Sequence, residues 1–367
     1  MSIVFYVTGH GFGHASRQIE IINAIYALDP DARIVVRTSA PQWLFAKTLR
    51  GPADVQAAAT DTGAIQRGAL DIDVPTTVRK AAEFHADPAA DQRIDEEVRA
   101  LKAAGARLVV GDVPPLAFAA AARAGVRSIA ISNFTWDWIY EGYGEELAHA
   151  PWLLDRLRSW YAQADEAWLL PMAGGFEGMN KTVSLPFVAR HARHDRADVR
   201  RRLGLPASDP LMLISFGGYG AKDLDPARAA ATLTAARIIV MTTQSDGHPP
   251  GTIGIHEDAV YGSGLRYEDL VAAVDIVLTK PGYGIVSECI ANRTRLLYTS
   301  RGRFREYEVF VEEMPGALPC HFISHADLAS GNWQDATARL LALPAVTPPP
   351  TNGAAVAAER LLSLAGR

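Results

Sequence analysis

The chain has 367 residues, too long for one ordinary core and about right for two domains. Its net charge of −5 argues against a bulk nucleic-acid binder, and its two cysteines, Cys289 and Cys320, lie in no CxxC or Cys/His cluster, which argues against structural zinc. The start, MSIVFYVTGH, has no basic n-region and no run reaches a membrane-spanning length, so the expected location is the cytoplasm.

Strand and helix signals then alternate. Ser2–Thr8 is an apolar run ending in a glycine-rich turn, after which Ile19, Ile22, Ile25 and Tyr26 recur at helical spacing. Arg33–Thr38, Leu108–Gly111, Arg127–Ser132 and Glu166–Leu170 read as strands, with an alanine-rich helix over Leu116–Ala124. This rhythm predicts a parallel sheet covered on both faces. Gly51–Pro75 interrupts it with a long, apolar-poor connection, a kind that is often functional. Pro186–Arg202, rich in arginine and histidine, reads as the inter-domain linker. The pattern restarts with Leu211–Phe216, Arg237–Thr242 and Asp275–Thr279. The turn KPGYG (280–284), a helix from about Ile285 to Ala291 and the strand Arg295–Thr299 follow. A proline-rich connector (342–353) precedes an amphipathic helix over Ala354–Ala365. The expected division is a first lobe at 1–187, a second at 188–345, and a tail at 346–367 returning to the first.

Glycine turns stand between strand and helix at 9–13, 217–220 and 282–284. A helix N-terminus behind such a turn offers free N–H groups and a positive dipole end, which suits phosphate. Three such turns, split over two halves, point to a ligand held between lobes. Gly9, Gly11 and Gly13 give G-x-G-x-G rather than the dinucleotide G-x-G-x-x-G. The second strand ends in Arg37-Thr38-Ser39, with no carboxylate for the ribose of NAD; Arg37 leaves NADP open. His10 and His14 bracket the first turn at the carboxyl end of strand one. A neutral imidazole there can take a hydroxyl proton, or else merely cap the helix. Glu288 is placed to accept from a ribose diol or to stabilise its helix dipole, and Lys280 to reach a diphosphate or to lie in solvent.

Asp112, also at a strand's carboxyl end, orients a histidine or caps the next helix. Asn133, Trp136 and Asp137 follow another strand end and suit sugar recognition, with Trp138 assigned to the core. Arg190, Arg193, Arg196, Arg200, Arg201 and Arg202 read as a solvated linker face, with weak peripheral contact to an anionic membrane as the second reading. Residues 151–163 read as core rather than as a membrane-interface helix.

The segments YVTGHGFGHASR, SNFTWDWIYEGY (132–143) and KPGYGIVSE (280–288) resemble the glycosyltransferase-like N-terminal region of plant L-arabinokinases and its free-standing bacterial relatives. So do DTGAIQRGALDID (61–73), GDVPPLAFAAAARAGVRSI (111–129) and SLPFVARHARHDRADVRRRLGL (184–205), so the resemblance covers most of the chain. A more distant likeness to the lipid-II-forming N-acetylglucosaminyltransferase rests on the turn-helix carrying Ser287 and Glu288. The resemblance implies a GT-B fold, two Rossmann-like lobes facing each other across a cleft, with no metal or other cofactor. Carried over residue by residue, Gly217, Gly218 and Tyr219 line the donor diphosphate with Lys280. Tyr283, Gly284, Ile285, Val286 and Ser287 form the anion-binding helix start, and Glu288 holds the ribose. Arg301, Phe304 and Glu306 lie near the donor sugar. His14 is the favoured base with His10 beside it, and Gly11, Phe12, Gly13, Asp61, Gln66 and Asp73 join Asp112, Asn133, Trp136 and Asp137 on the acceptor side. No GHMP-kinase glycine motif is present, so sugar-1-kinase activity is not implied.

The expected activity is therefore metal-independent, inverting transfer of a hexosyl or pentosyl group from a nucleotide sugar, UDP favoured, to a small-molecule or lipid-linked hydroxyl. Two alternatives stay open. One is a hydrolysing nucleotide-sugar 2-epimerase using Asp61, Asp73 and Asp112; the other is a non-catalytic nucleotide-sugar-binding module.

Overall fold

The computed structural model describes residues 2–217, 224–242 and 247–366. The first half runs β1 (Ser2–Val7), α1 (Phe12–Leu28), β2 (Arg33–Thr38), α2 (Gln42–Thr48), β3 (Asp54–Ala57), α3 (Val74–His85), α4 (Ala89–Ala104), β4 (Ala106–Asp112), α5 (Leu116–Ala124), β5 (Arg127–Phe134), α6 (Trp136–Glu141), α7 (Leu153–Tyr161), β6 (Glu166–Gly174) and β7 (Thr182–Ser184). The second runs α8 (Arg196–Arg202), β8 (Leu211–Ile214), α9 (Pro226–Thr232), β9 (Arg237–Thr242), β10 (Ile253–His256), α10 (Glu257–Gly262), α11 (Tyr267–Ala273), β11 (Ile276–Thr279), α12 (Tyr283–Ala291), β12 (Arg295–Tyr298), α13 (Glu306–Glu313), β13 (Cys320–Phe322), α14 (His325–Ser330), α15 (Gln334–Ala342) and α16 (Gly353–Leu364).

Among the described residues, two sheets form. One has seven strands in the order β3-β2-β1-β4-β5-β6-β7, the other six in the order β10-β9-β8-β11-β12-β13. Their pairings are parallel throughout. This is the two-lobed parallel architecture expected from the alternation. The strands read as unbroken apolar runs because both faces are covered: all six residues of β1 and all four of β11 are buried. Each fully buried large side chain contributes about 1.5–3 kcal/mol of hydrophobic stabilisation.

Strand order reverses between β1 and β4 in the first sheet and between β8 and β11 in the second. Ligands of open α/β sheets bind where such a reversal leaves a crevice at the carboxyl ends. The two reversals carry the 9–13 turn with Asp112, and the 280–284 turn. Helix α16 lies along α1, burying Ala357, Ala358 and Leu361 in one cluster with Ile19, Ile22 and Ile25.

Several expectations are corrected. Gly51–Pro75 is not all connection: Asp54–Ala57 pairs with β2 as an edge strand. Its sequence, DVQA, has no apolar pattern because an edge strand half open to water needs none. The presumed linker contains α8, and two of its arginines are buried, Arg190 and Arg200. Arg200 Nε donates to the Ala273 carbonyl, and its Nη1 lies 3.0 Å from those of Pro206, Ala207 and Asp209, which share its two hydrogens, so the guanidinium serves a loop that would otherwise hide unpaired acceptors. Residues 151–163 do pack inward through Leu153, Leu157, Trp160 and Tyr161. Among the described residues no helix is long and apolar enough to cross a membrane.

Candidate active site

Asp112 ends β4 with no exposed surface, facing the start of α1. Its Oδ1 accepts from His14 Nδ1 at 3.0 Å and from Arg17 Nη2 at 2.5 Å. Its Oδ2 accepts from Arg17 Nε at 2.6 Å and Gln18 Nε2 at 2.8 Å. His14, Arg17 and Gln18 are brought together because positions three and four apart share a helix face. Burial alone would raise the Asp112 carboxyl, but the Arg17 charge, with His14, outweighs it and holds the group far below its usual range.

The tautomer of His14 follows from counting donors. Arg17 Nη2 has two hydrogens, and Asp112 Oδ1 and Ser132 Oγ (3.0 Å) take both. The 2.9 Å approach of Nη2 to His14 Nδ1 is then contact without a hydrogen bond. Nδ1 carries its own hydrogen toward Asp112, and Nε2 keeps its lone pair. Burial, then the Arg17 charge, lower the His14 pKa, with Asp112 and Glu306 opposing, so the ring is a neutral base near pH 7.

From Arg17 the network crosses to the second lobe. Arg17 Nη1 donates to Asn133 Oδ1 at 2.7 Å, and Asn133 Nδ2 donates to Glu306 Oε1 at 2.7 Å. Glu306 Oε2 accepts from Arg301 Nη1 at 2.6 Å, and Arg301 lies over the Phe304 ring. Phe304 in turn stacks on His10 with ring centroids 5.7 Å apart.

The two helix starts meet. Gly13 and Gly284 touch backbone to backbone: a Cβ on Gly284 would come within 3.0 Å of Gly13 Cα. Among the described residues no side chain caps α1 at Gly11 or α12 at Gly282, and neither first turn holds an acidic residue. The positive ends of both helices are thus left for a ligand. Lys280, just before α12, donates to Gln66 Oε1 at 3.1 Å across the cleft. Burial and the nearby Arg301 lower its ammonium to about 7.

Other expected residues take different places. In the helix start, Gly284 and Ile285 are half-buried, while Tyr283, Val286 and Ser287 turn inward. Tyr283 accepts from Val188 N and lies under Arg17, and Ser287 Oγ bonds Gly284 O. Glu288 is buried, with Oε1 held by Arg190 Nε at 2.7 Å and Glu268 beside the same guanidinium. Burial, with Arg190 opposing, raises its carboxyl to about 7. Asp61 is buried beneath the 9–13 turn, accepting from Thr8 Oγ1 at 2.9 Å and Trp136 Nε1 at 2.7 Å. Its burial lifts it to about 6, against those two hydrogen bonds. Phe12 sits at the cleft edge against Trp43, and Gly217 follows β8 with φ +70°. Gly218 and Tyr219 lie outside the described residues.

Three assignments change. Trp136 has no exposed surface and stacks on Tyr140, so it is core and gives no sugar platform; Trp138 is the half-exposed ring, covered by Arg305. Asp73 caps α3 through Thr76 N and pairs with Arg67, away from the cluster. Asp137 turns toward Arg158 on α7. Arg17, Gln18 and Arg190 are the residues whose place the sequence did not announce. The signal for Arg17 was its position one helical turn after His14.

The fold is GT-B. Solved structures with this arrangement include the glycotransferase of kitacinnamycin, with a TM-score of 0.63, 16% identity and coverage of 99% of this chain and 94% of that one. The spinosyn forosaminyltransferase SpnP (TM-score 0.61, 13% identity, 100% and 94% covered) is similar. So is a UDP-glucosyltransferase from Polygonum tinctorium (TM-score 0.61, 13% identity, 100% and 99% covered). In sequence, the chain is 30% identical over 362 residues to the L-arabinokinase of Arabidopsis thaliana, matching 97% of this chain and 34% of that protein. It thus spans about a third of that relative's length. No family model matches the chain.

Proposed function

We propose that the chain is a glycosyltransferase that moves a sugar from a nucleoside diphosphate sugar to a hydroxyl acceptor, without metal and with inversion. The observation that carries this reading is His14, held by Asp112 with its Nε2 lone pair free, beside two uncapped helix starts that touch. An acceptor hydroxyl attacks the anomeric carbon in line as His14 Nε2 takes its proton. The bond from that carbon to the phosphate oxygen breaks, and the nucleoside diphosphate leaves toward α12 and Lys280. Fixed N–H groups and a cation stabilise charge as it develops there at no cost in reorganisation. Glu288 Oε2, the oxygen not held by Arg190, is assigned to the ribose, and the 61–66 loop to the acceptor. The names of the structural neighbours, which include a UDP-glucosyltransferase, support a uridine donor.

The carboxylates required by a hydrolysing epimerase are otherwise engaged. Asp61 accepts from Thr8 and Trp136, Asp73 caps a helix, and Asp112 already accepts four hydrogen bonds. The test begins with thermal shift against UDP, GDP, dTDP, ADP and CMP with their sugars. A ligand at a hundred times its Kd should stabilise the native state by about 2.7 kcal/mol. The stabilising donor is then offered to an acceptor panel. His14→Ala should bind that donor as the wild type does and transfer nothing. Full transfer by His14→Ala, or no stabilisation by any nucleotide, would end this reading.

A further inference from the structure

Two histidines bracket the 9–13 turn, yet their rings are held differently. His14 gives its Nδ1 hydrogen to Asp112. His10 Nδ1 instead receives a hydrogen: the backbone N–H of Ala64 donates to it at 3.3 Å. A backbone amide has only a hydrogen to give, so Nδ1 of His10 holds its lone pair. In a neutral ring the hydrogen then resides on Nε2.

The rest of the ring is gripped. Phe304 stacks on one face with centroids 5.7 Å apart, and Trp136 meets it edge-on at 5.4 Å. Gly63, at φ +62°, lies so close that a Cβ there would come within 3.0 Å of His10 Cβ and 3.2 Å of Nδ1. The His10 amide bonds Thr8 Oγ1, which itself donates to Asp61. Only Nε2 makes no hydrogen bond with the described residues. Burial first, then the Arg301 charge, press the imidazole well below its ordinary pKa and keep the ring neutral.

Resting on the reading of a diphosphate-binding cleft, we propose that the two histidines divide the work by opposite tautomers: His14 accepts a proton at Nε2, and His10 donates a fixed Nε2–H hydrogen bond to an anionic oxygen of the bound substrate. The same loop that sets the His10 tautomer through Ala64 also reaches Lys280 through Gln66, so a donor N–H and an ammonium are positioned together. Such a pair suits a phosphate oxygen of the donor and does not suit removal of a proton. His10 therefore belongs with the leaving group, and its exchange for a second base would gain nothing.

The test has two arms on the full chain. Long-range proton–nitrogen NMR of ¹⁵N-histidine-labelled protein at pH 7 reads both tautomers. The expected result is hydrogen on Nε2 of His10 and on Nδ1 of His14. Hydrogen on Nδ1 of His10, or a doubly protonated ring, overturns the inference. Calorimetric titration with inorganic pyrophosphate then compares wild type, His10→Gln and His10→Phe. Gln keeps an N–H donor, so it should bind within a few-fold of wild type, whereas Phe should lose roughly 10- to 100-fold, the worth of one hydrogen bond to a charge. Equal binding by wild type and His10→Phe overturns the inference alone. A wild type that binds no pyrophosphate overturns it together with the reading on which it rests.

Discussion

Replacing Asp112 by Asn tests the centre of the cluster with one atom changed. The carboxylate accepts four hydrogen bonds, from His14, Gln18 and twice from Arg17, and a carboxamide has only one oxygen to accept them. Its NH2 would face either the guanidinium or Nδ1–H, donor against donor. Arg17, 3% exposed, would keep a buried charge with no anion in contact. Removing one partner of a buried pair costs about 3–5 kcal/mol. For a lobe of this size, about 2–4 °C in Tm accompanies each kcal/mol, so a loss of roughly 6–20 °C is expected in thermal unfolding followed by circular dichroism. The acid limb should change too. Wild-type Asp112 stays ionised in the fold while the unfolded chain takes up a proton below about pH 4, so its stabilisation is present above that pH and is lost as pH falls further. Asp112→Asn should lack that part of the slope. The His14 hydrogen should also move to Nε2, removing the base. A Tm within about 2 °C of wild type, with the His14 tautomer unchanged, would show that Asp112 neither balances Arg17 nor sets the His14 tautomer.

Two further substitutions probe other parts of the fold. Gly284→Ala puts a Cβ within 3.0 Å of Gly13 Cα, backbone against backbone, so the helix starts must part; Gly13→Ala meets Gly284 N at 3.5 Å, an ordinary contact. Denaturant titration should show a loss of about 1–3 kcal/mol for the first and clearly less for the second. His85 is buried against Trp160 with Nδ1 bonded to Ala81 O, and burial lowers its pKa to about 4. The unfolded chain takes up this proton near pH 6.5 and the fold does not until about pH 4, so stability is full above 6.5 and falls by roughly 3 kcal/mol across that window. His85→Leu should flatten unfolding free energy against pH between those limits; an unchanged slope would show that His85 does not carry it.

Much of the architecture was legible because both faces of a parallel sheet must be apolar. Runs such as SIVFYV, RIVVRT and RIIVMT therefore stand out, and β1, β2 and β9 fall where they read. The edge strands were not legible: DVQA, TVS, IGIH and CHF are three or four residues long and lie partly in water, too short for a period to stand out. Burial of charge was hidden for a different reason. Nothing local distinguishes Arg200, which fills a loop with donors, from Arg201, which lies in solvent one residue later. Trp136 and Trp138 were read the wrong way round. Which ring goes inward depends on where α6 begins, and the WDW sequence reads alike for either start.

The charges along the inter-lobe network are ordered in a way that bears on opening of the cleft. Asp112 and Arg17 form a closed ion pair inside the first lobe, and Glu306 and Arg301 form another inside the second. The residue joining them, Asn133, is neutral. At this junction, parting the lobes therefore breaks one amide-to-carboxylate hydrogen bond, about 1.5–3 kcal/mol, and leaves both ion pairs intact. Had Arg17 paired directly with Glu306, parting would strip a buried charge of its partner at about 3–5 kcal/mol. The rim contacts add little to that difference. Arg303 with Glu146 and Arg305 with Glu141 are solvent-facing pairs, worth about 0–1 kcal/mol each and weakened by salt. A neutral amide at the junction thus keeps the base and its orienting carboxylate assembled whether the lobes are together or apart, while the contact that Glu306 makes with Asn133 exists only when they are together.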